Sequence, residues 1–346
     1  MLMSQNLTAL KLRKNHQMNK TVNAALIGFG WWGKNLAKAI ETSGSHIQFT
    51  MIVSKELDDA QEYAKEHQIT LSDQYEDALS NPNITAIVLA TPHSLHAEQI
   101  IAAAKSGKHI FCEKPLALTH HDAERAIKAC EDNSVILAVG QNKRFWPSMV
   151  KLRQVVASGI LGEVMHIEGH YSNEHSTKFF SEWRDKPTES PAGGLTGTGI
   201  HIIDAIVNIA GNATEVSAHV ASFRTGKDPR DATSVNVRFA NGISAYFAMV
   251  RATPIFWRVH VFGDQGSIEA IGETECILRQ NGGQMERYTF PPADSIKLEL
   301  EAFADAIASN NSTPYPISTL EMNRTIALFE AVVKSVNEQS IVKVSP

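Results

Sequence analysis

Cysteine is scarce in this chain. Cys112, Cys130 and Cys276 are the only three in 346 residues, an odd number with no C-x-x-C spacing. That excludes a disulfide framework and fits a reducing compartment. Charge of one sign is not in excess either: 32 Lys and Arg stand against 37 Asp and Glu, for a net charge of −5 and a pI near 6.3. No basic stripe interrupts this balance, so nucleic acid is a poor partner. No apolar run is long enough to span a bilayer. The first twenty residues are polar and basic, without the apolar core or the small-residue cleavage site of a signal peptide. They read as a disordered tail (1–20), or as an upstream start ahead of Met18, and the protein as cytoplasmic.

What is present is an ordinary apolar content of 43% with 20% charged residues, over a length that buries a sizeable core and divides into two domains. From Val22 the pattern is strand, glycine turn, helix. The run Ala24-Ala25-Leu26-Ile27 leads into Gly28-Phe29-Gly30-Trp31-Trp32-Gly33, and a helix follows over Lys34 to Thr42. GxGxxG has a mechanism in this position. The first glycine permits the tight turn, the second lets backbone approach a pyrophosphate, and the third lets helix pack on strand. Strand and helix runs then alternate. Ile47 to Val53, Ile84 to Ala90, His109 to Cys112 and Val135 to Val139 read as strands, separated by helices over Asp58 to Glu66, His96 to Ser106 and Thr119 to Asn133. This is the pattern of a doubly wound parallel sheet, an α/β dinucleotide-binding domain over 21–143.

Ligands of such sheets sit outside the carboxyl ends of the strands. Gly28, Ser54, Thr91-Pro92, Glu113-Lys114-Pro115 and Gln141-Asn142 are therefore expected to crowd one crevice. An acidic residue at the end of the second strand would grip the ribose diol of NAD. The sequence has Ser54-Lys55 there, a hydroxyl and an ammonium that suit a 2′-phosphate, so NADP is favoured with NAD possible; a solvated loop lysine is the competing reading. Lys114 ends a buried strand at the crevice, where desolvation lowers a lysine's proton affinity toward neutral pH.

Beyond residue 143 the pattern changes to strands at Gly162 to His170, Glu215 to Phe223, Thr233 to Phe239, Ile243 to Val250, Phe256 to Phe262 and Ser267 to Ile271. Asn241-Gly242 signals a hairpin between two of these. Helical runs at Ile296 to Ser309 and Thr319 to Glu338 close the chain. Within the apolar stretch Ile200 to Ile209, His201, Asp204 and Asn208 are spaced to share one helix face. His166, Glu168 and His170 alternate along one strand, with His175 soon after, but lack a fourth ligand at useful spacing, and no metal is assigned.

The segment Gly107-Lys108-His109-Ile110-Phe111-Cys112-Glu113-Lys114-Pro115-Leu116-Ala117 resembles the glucose–fructose oxidoreductase / inositol dehydrogenase (Gfo/Idh/MocA) family. The glycine turn, Thr91 to His96, Asn142-Lys143-Arg144-Phe145, Gly162-Glu163-Val164 and Gly263 to Ser267 extend the likeness over nearly the whole chain after the tail. The resemblance implies a second α+β domain, 144–346, built on a large open, mostly antiparallel sheet whose exposed face forms a homodimer or homotetramer. It implies an NAD(P)-dependent oxidoreductase moving hydride to or from a sugar, polyol or related diol. A redox-cycling glycosidase with tightly bound NAD and a nucleotide-sensing regulator are the alternatives. Lys114 takes the family's catalytic position and His201 that of its acid/base histidine. Glu113 falls near the nicotinamide ribose, and His93, His96 and Asn142 join the cofactor segments. Tyr171, Trp183, Arg184 and Asp204 fall on segments that approach the substrate. One departure stands out: the family writes DxGxH, and Gly197 occupies the aspartate's place, leaving Asp204 as the candidate to orient His201.

Overall fold

Short apolar runs with no alternation belong in a sheet covered on both faces, and the first sheet is made of them. In the computed structural model, which describes residues 21–41, 43–174, 183, 186–222, 232–251 and 253–345, β4 (Ala86–Leu89) is buried at all four positions. It follows β1 (Val22–Ile27), α1 (Trp31–Ala39), β2 (Ile47–Val53), α2 (Leu57–Glu66), β3 (Thr70–Ser72) and α3 (Tyr75–Ser80). After it come α4 (His96–Lys105), β5 (His109–Glu113), α5 (His120–Asp132) and β6 (Leu137–Gly140). The parallel sheet has the order β3-β2-β1-β4-β5-β6. The order reverses between β1 and β4, which opens a crevice at their carboxyl ends.

A short helical turn, Asn142–Phe145, and α6 (Pro147–Ala157) lead into β7 (Val164–Ser172). A π turn (Leu195–Gly199) runs into α7 (Ile200–Ala210), followed by β8 (Ala213–Ala221), β9 (Ala232–Phe239), β10 (Ser244–Val250), β11 (Phe256–Gly263) and β12 (Gly266–Ile271). Then come β13 (Glu275–Gln280), β14 (Glu286–Thr289), α8 (Ser295–Ala308), α9 (Thr319–Glu338) and β15 (Val342–Lys343). The nine strands take the order β14-β13-β12-β11-β7-β10-β9-β8-β15, antiparallel except for β7 with β10. The expected Asn241-Gly242 hairpin joins β9 to β10, with Gly242 at φ +87°.

Several elements went unread in the sequence for physical reasons. β3 and β15 are three and two residues long, and β14 is a largely exposed edge strand, so none carries a periodic signal. The sequence pattern also gave no sign of where the last helices pack. Leu300 and Phe303 of α8, with Tyr315, Ile317, Met322 and Ile326, pack into the core of the first sheet, whereas Leu328, Phe329 and Val332 of α9 join the core of the second. The chain therefore returns to the nucleotide-binding sheet before it ends.

One buried side chain ties these parts together. Arg144 donates through Nε and Nη2 to both Asp204 oxygens of α7, at 2.6 and 2.8 Å, and through Nη1 to Glu321 of α9 at 2.8 Å. Arg144 and Asp204 are almost fully buried. Glu321 also closes a capping box with Ser318 and accepts from Asn208 at 2.7 Å. Burial alone would raise the Glu321 carboxyl, but Arg144 and the Ser318 donors hold it at about 2.

Removing one partner from such a cluster strands buried charge, so Arg144→Ala is expected to cost about 3–5 kcal/mol of unfolding free energy in denaturant titrations. Because the folded Glu321 value lies below its ordinary 4.5, its contribution is complete above that pH and is lost as pH falls toward about 2. Acid titrations of Glu321→Gln should lack that part of the acid limb.

Candidate active site

The glycine turn shows what each glycine is for. A Cβ on Gly28, where φ is +92°, would lie 2.6 Å from the Ala90 carbonyl oxygen, and one on Gly33 would lie 2.1 Å from that of Gly28. Gly30 instead faces open space with nothing within 4 Å, and as the N-cap of α1 it gives the first-turn N–H groups no side-chain partner. Packing demands the first and third glycines. The second leaves donors and room for a pyrophosphate, so these residues fit a dinucleotide. Phe29 turns the other way, buried against Tyr63 with ring centres 5.0 Å apart, so only its backbone belongs to this turn.

Above the strand ends lies a cavity of about 250 Å³. Ten residues expected at the site line it: Trp31, Trp32, Thr91, His93, His96, Glu113, Lys114, Asn142, Tyr171 and His201. Lys143, Asn173, Gly197 and Thr198 line it too. Pro92 precedes the turn that presents His93. Trp183 stands behind this wall, edge-on to His93 at 5.2 Å, and Arg184 lies outside the described residues. Ser54 and Lys55 sit apart at the end of β2. Ser54 Oγ donates to Glu56 at 3.4 Å, and Lys55 Nζ donates to the Asp73 carbonyl at 2.7 Å.

Lys114 Nζ reaches across the cavity and donates to the Gly197 carbonyl at 2.5 Å. This joins the end of β5 to the turn that enters α7. His96 braces the Lys114 segment from beneath. Its Nδ1 lies 2.7 Å from the Pro115 carbonyl and its Nε2 3.1 Å from that of Thr91. Burial is the largest influence on this ring and pushes its proton affinity down, while the two carbonyls push it up. His96 is thus a brace more than a cofactor ligand.

The orienting group of His201 is not Asp204, whose two oxygens are taken by Arg144. Gln141, at the end of β6, accepts from His201 Nδ1 through Oε1 at 2.6 Å. That fixes the Nδ1–H tautomer and leaves Nε2 with the lone pair. Burial, then Lys114 and Lys143, push the ring well below its ordinary 6.5, so His201 is neutral at neutral pH. Asp204 does not line the cavity, which corrects its placement among the substrate contacts. Gln141 was expected at the crevice as a strand end, but its contact with His201 was not, and Lys143 was missed although it follows the same strand end.

Lys143 is buried under three aromatic faces: Trp146 at 3.8 Å, Tyr171 at 4.8 Å and Trp257 at 5.7 Å. Burial and the neighbouring Lys114 pull it down to about 7. Glu299 of α8 is fully buried and among the described residues hydrogen-bonds to nothing; burial and then Glu113 push its carboxyl far upward. The histidine strand is spoken for elsewhere: His166 meets Ser244, Glu168 pairs with Arg258, and His170 meets Ser172. Among the described residues no cluster of His, Cys, Asp and Glu could hold a metal, and His175 lies outside them.

Comparison with known proteins matches this arrangement. Residues 22–141 fit the model of an oxidoreductase family with an NAD-binding Rossmann fold, and residues 149–269 fit the GFO/IDH/MocA C-terminal domain. The uncharacterized oxidoreductase YrbE of Bacillus subtilis is 30% identical over 86% of this chain and 89% of its own. The 2,7-anhydro-N-acetylneuraminate hydratase of Mediterraneibacter gnavus is 25% identical over 74% of this chain and 68% of its own. A solved levoglucosan dehydrogenase with NADH and levoglucosan shares the fold at a TM-score of 0.84 and 23% identity, covering 94% of this chain and all of its own. The chain belongs to the GFO/IDH/MocA oxidoreductase family.

Gly197 is not required by its backbone: its φ is not left-handed and a Cβ there would meet nothing within 4 Å. Gly197→Asp is therefore expected to fold with a melting temperature within a few degrees of wild type, a change of no more than about 1 kcal/mol. A large loss in a thermal melt would show that the glycine is structurally demanded.

Proposed function

We propose that this member of the family is an NAD(P)-dependent dehydrogenase or reductase acting on a CH–OH group of a sugar, polyol or related diol. The observation that carries the reading is the convergence of Lys114, His201 and the glycine turn on one crevice at the strand ends. The levoglucosan dehydrogenase likeness supports the substrate class.

A bound nicotinamide supplies acceptance and donation of hydride. The turn Gly28 to Gly33 would hold the pyrophosphate, with Thr91, His93, Glu113 and Asn142 lining the path toward the reacting centre. The chain itself must handle the hydroxyl proton. Lys114 is the acid/base, its Nζ already at hydrogen-bonding distance from a cavity-lining carbonyl that an alcohol oxygen can replace. His201, neutral and held by Gln141, offers an Nε2 lone pair to a second substrate hydroxyl. Tyr171, pushed up to about 12 by burial, stays protonated and walls the cavity.

Ser54 and Lys55 favour NADP, with NAD possible, while the Glu56 carboxylate beside Ser54 opposes a 2′-phosphate. The open face of the second sheet, with Met165, Tyr246 and Phe256 exposed around the Arg258–Glu168 and Arg258–Glu269 pairs, is the proposed homodimer or homotetramer surface. Such a chain would work in the cytoplasm.

Lys114→Met is expected to lower turnover by about a hundredfold to ten-thousandfold while leaving nucleotide affinity near wild type, measured by NAD(P)H absorbance and by binding titration. Retention of most activity would make Lys114 structural. In separate titrations the wild type should bind NADPH more tightly than NADH. Ser54→Asp should narrow or reverse that preference, and Glu56→Gln should widen it; a wild type that prefers NADH contradicts the assignment.

A further inference from the structure

Lys143 has no role in the proton transfer just described, yet its setting is that of a ligand-binding group. It is 9% exposed and lines the cavity. Among the described residues its ammonium makes no hydrogen bond and no ion pair, and its near contacts are the faces of Trp146, Tyr171 and Trp257. A buried ammonium normally finds a carboxylate, because desolvated charge without a partner is costly. Aromatic faces hold the stem and stabilise the cation from the sides, but they accept none of its three N–H donors in the ordinary sense.

The neighbouring carboxyls do not fill the gap. Burial pushes the Glu299 carboxyl well upward, away from its charged form. Glu113 lies at the end of β5, with its carboxylate turned to the backbone N–H of Lys114 at 3.3 Å and against Gly140, where a Cβ would be 2.7 Å from Oε1. Glu273 accepts from the Ala293 N–H at 2.7 Å. Lys114 adds a second ammonium to the same cavity. The cavity wall thus carries two lysines, Lys114 and Lys143, and one carboxylate, Glu113.

We infer that Lys143 is a specificity-determining residue that receives a carboxylate of the substrate, so that the preferred substrate is a polyhydroxy acid, such as an aldonic or uronic acid, and not a neutral sugar. This deepens the proposed function and rests on it only for the site's being a substrate cavity. The lowered proton affinity of Lys143 in the empty cavity has the same origin, a missing counter-charge, and a carboxylate supplies one. Lys114 serves the hydroxyl of the reacting carbon, and the caged ammonium fixes which end of the substrate enters first.

The test is calorimetric titration of the protein, saturated with NADPH, using two matched pairs: D-glucuronate against D-glucose, and D-gluconate against sorbitol. Wild type is expected to bind at least one acid about tenfold or more tightly than its neutral counterpart. Lys143→Met should erase that margin, and Lys143→Arg should keep most of it. Lys143→Gln serves as the second neutral variant should Lys143→Met fail to fold. Equal or weaker binding of both acids by wild type, undetectable binding of both, or a margin that survives loss of the charge would overturn the inference. Because binding is read without turnover, the carboxylate site stands or falls independently of whether the proposed activity is found.

Discussion

The Arg144 guanidinium is the constraint on which the site depends. It sits in the four-residue turn that leaves the nucleotide-binding sheet, and it holds a carboxylate from each of two helices of the second core. Rotating either helix would expose or orphan a buried charge, so their positions are fixed with little freedom. α7 carries His201 one turn before Asp204; just before Arg144 in the chain, Asn142 and Lys143 line the cavity and Gln141 holds His201. One ion cluster therefore sets the imidazole, the group that orients it and the caged lysine. The clamp also explains why Asp204 is unavailable to His201.

The electrostatics of the cavity follow from this geometry. Glu113, Lys114, Lys143, His201 and Glu299 lie close together, and the outcome for each depends on its neighbours. Burial, then two lysines, push the His201 ring well below its ordinary value, and burial, then Glu113, push the Glu299 carboxyl well above its own. An aspartate at position 197, as in the family pattern, would have brought a formal negative charge next to Lys114. With glycine there, Lys114 rests on a backbone carbonyl and the carboxylate's orienting task passes to the neutral Gln141 amide. The charge balance of the site has shifted toward the positive without loss of its connectivity.

Much of the fold could be read from the sequence because its signals are local. The glycine turn, the unbroken apolar run at β4 and the Asn241-Gly242 hairpin each depend on residues within a few positions. The last long helix was expected at Thr319 to Glu338 and is found there, marked by its capping box. Short polar strands carried no such signal, and the return of α8 to the first core depends on which apolar face meets which sheet, a choice that spacing does not encode. The site divides the same way. Lys114 and His201 were legible as a strand-end lysine and a polar break in an apolar helix, and family likeness added their roles. That Gln141 meets His201, that Arg144 takes Asp204 and that Lys143 lies under three rings are contacts between residues 60 to 177 positions apart or across sheets. Helical spacing suggested Asp204 as the partner of His201, but a guanidinium offers a buried carboxylate two charge-assisted hydrogen bonds at once, which a neutral imidazole cannot match.

The most direct test of this account is a crystal structure of the protein with NADP(H) and its best substrate bound. The account predicts the pyrophosphate on the Gly28–Gly33 turn and the alcohol or carbonyl oxygen of the reacting carbon within about 3 Å of Lys114 Nζ, having displaced the Gly197 carbonyl. A substrate oxygen seated elsewhere, with Lys114 still bonded to Gly197, would contradict it.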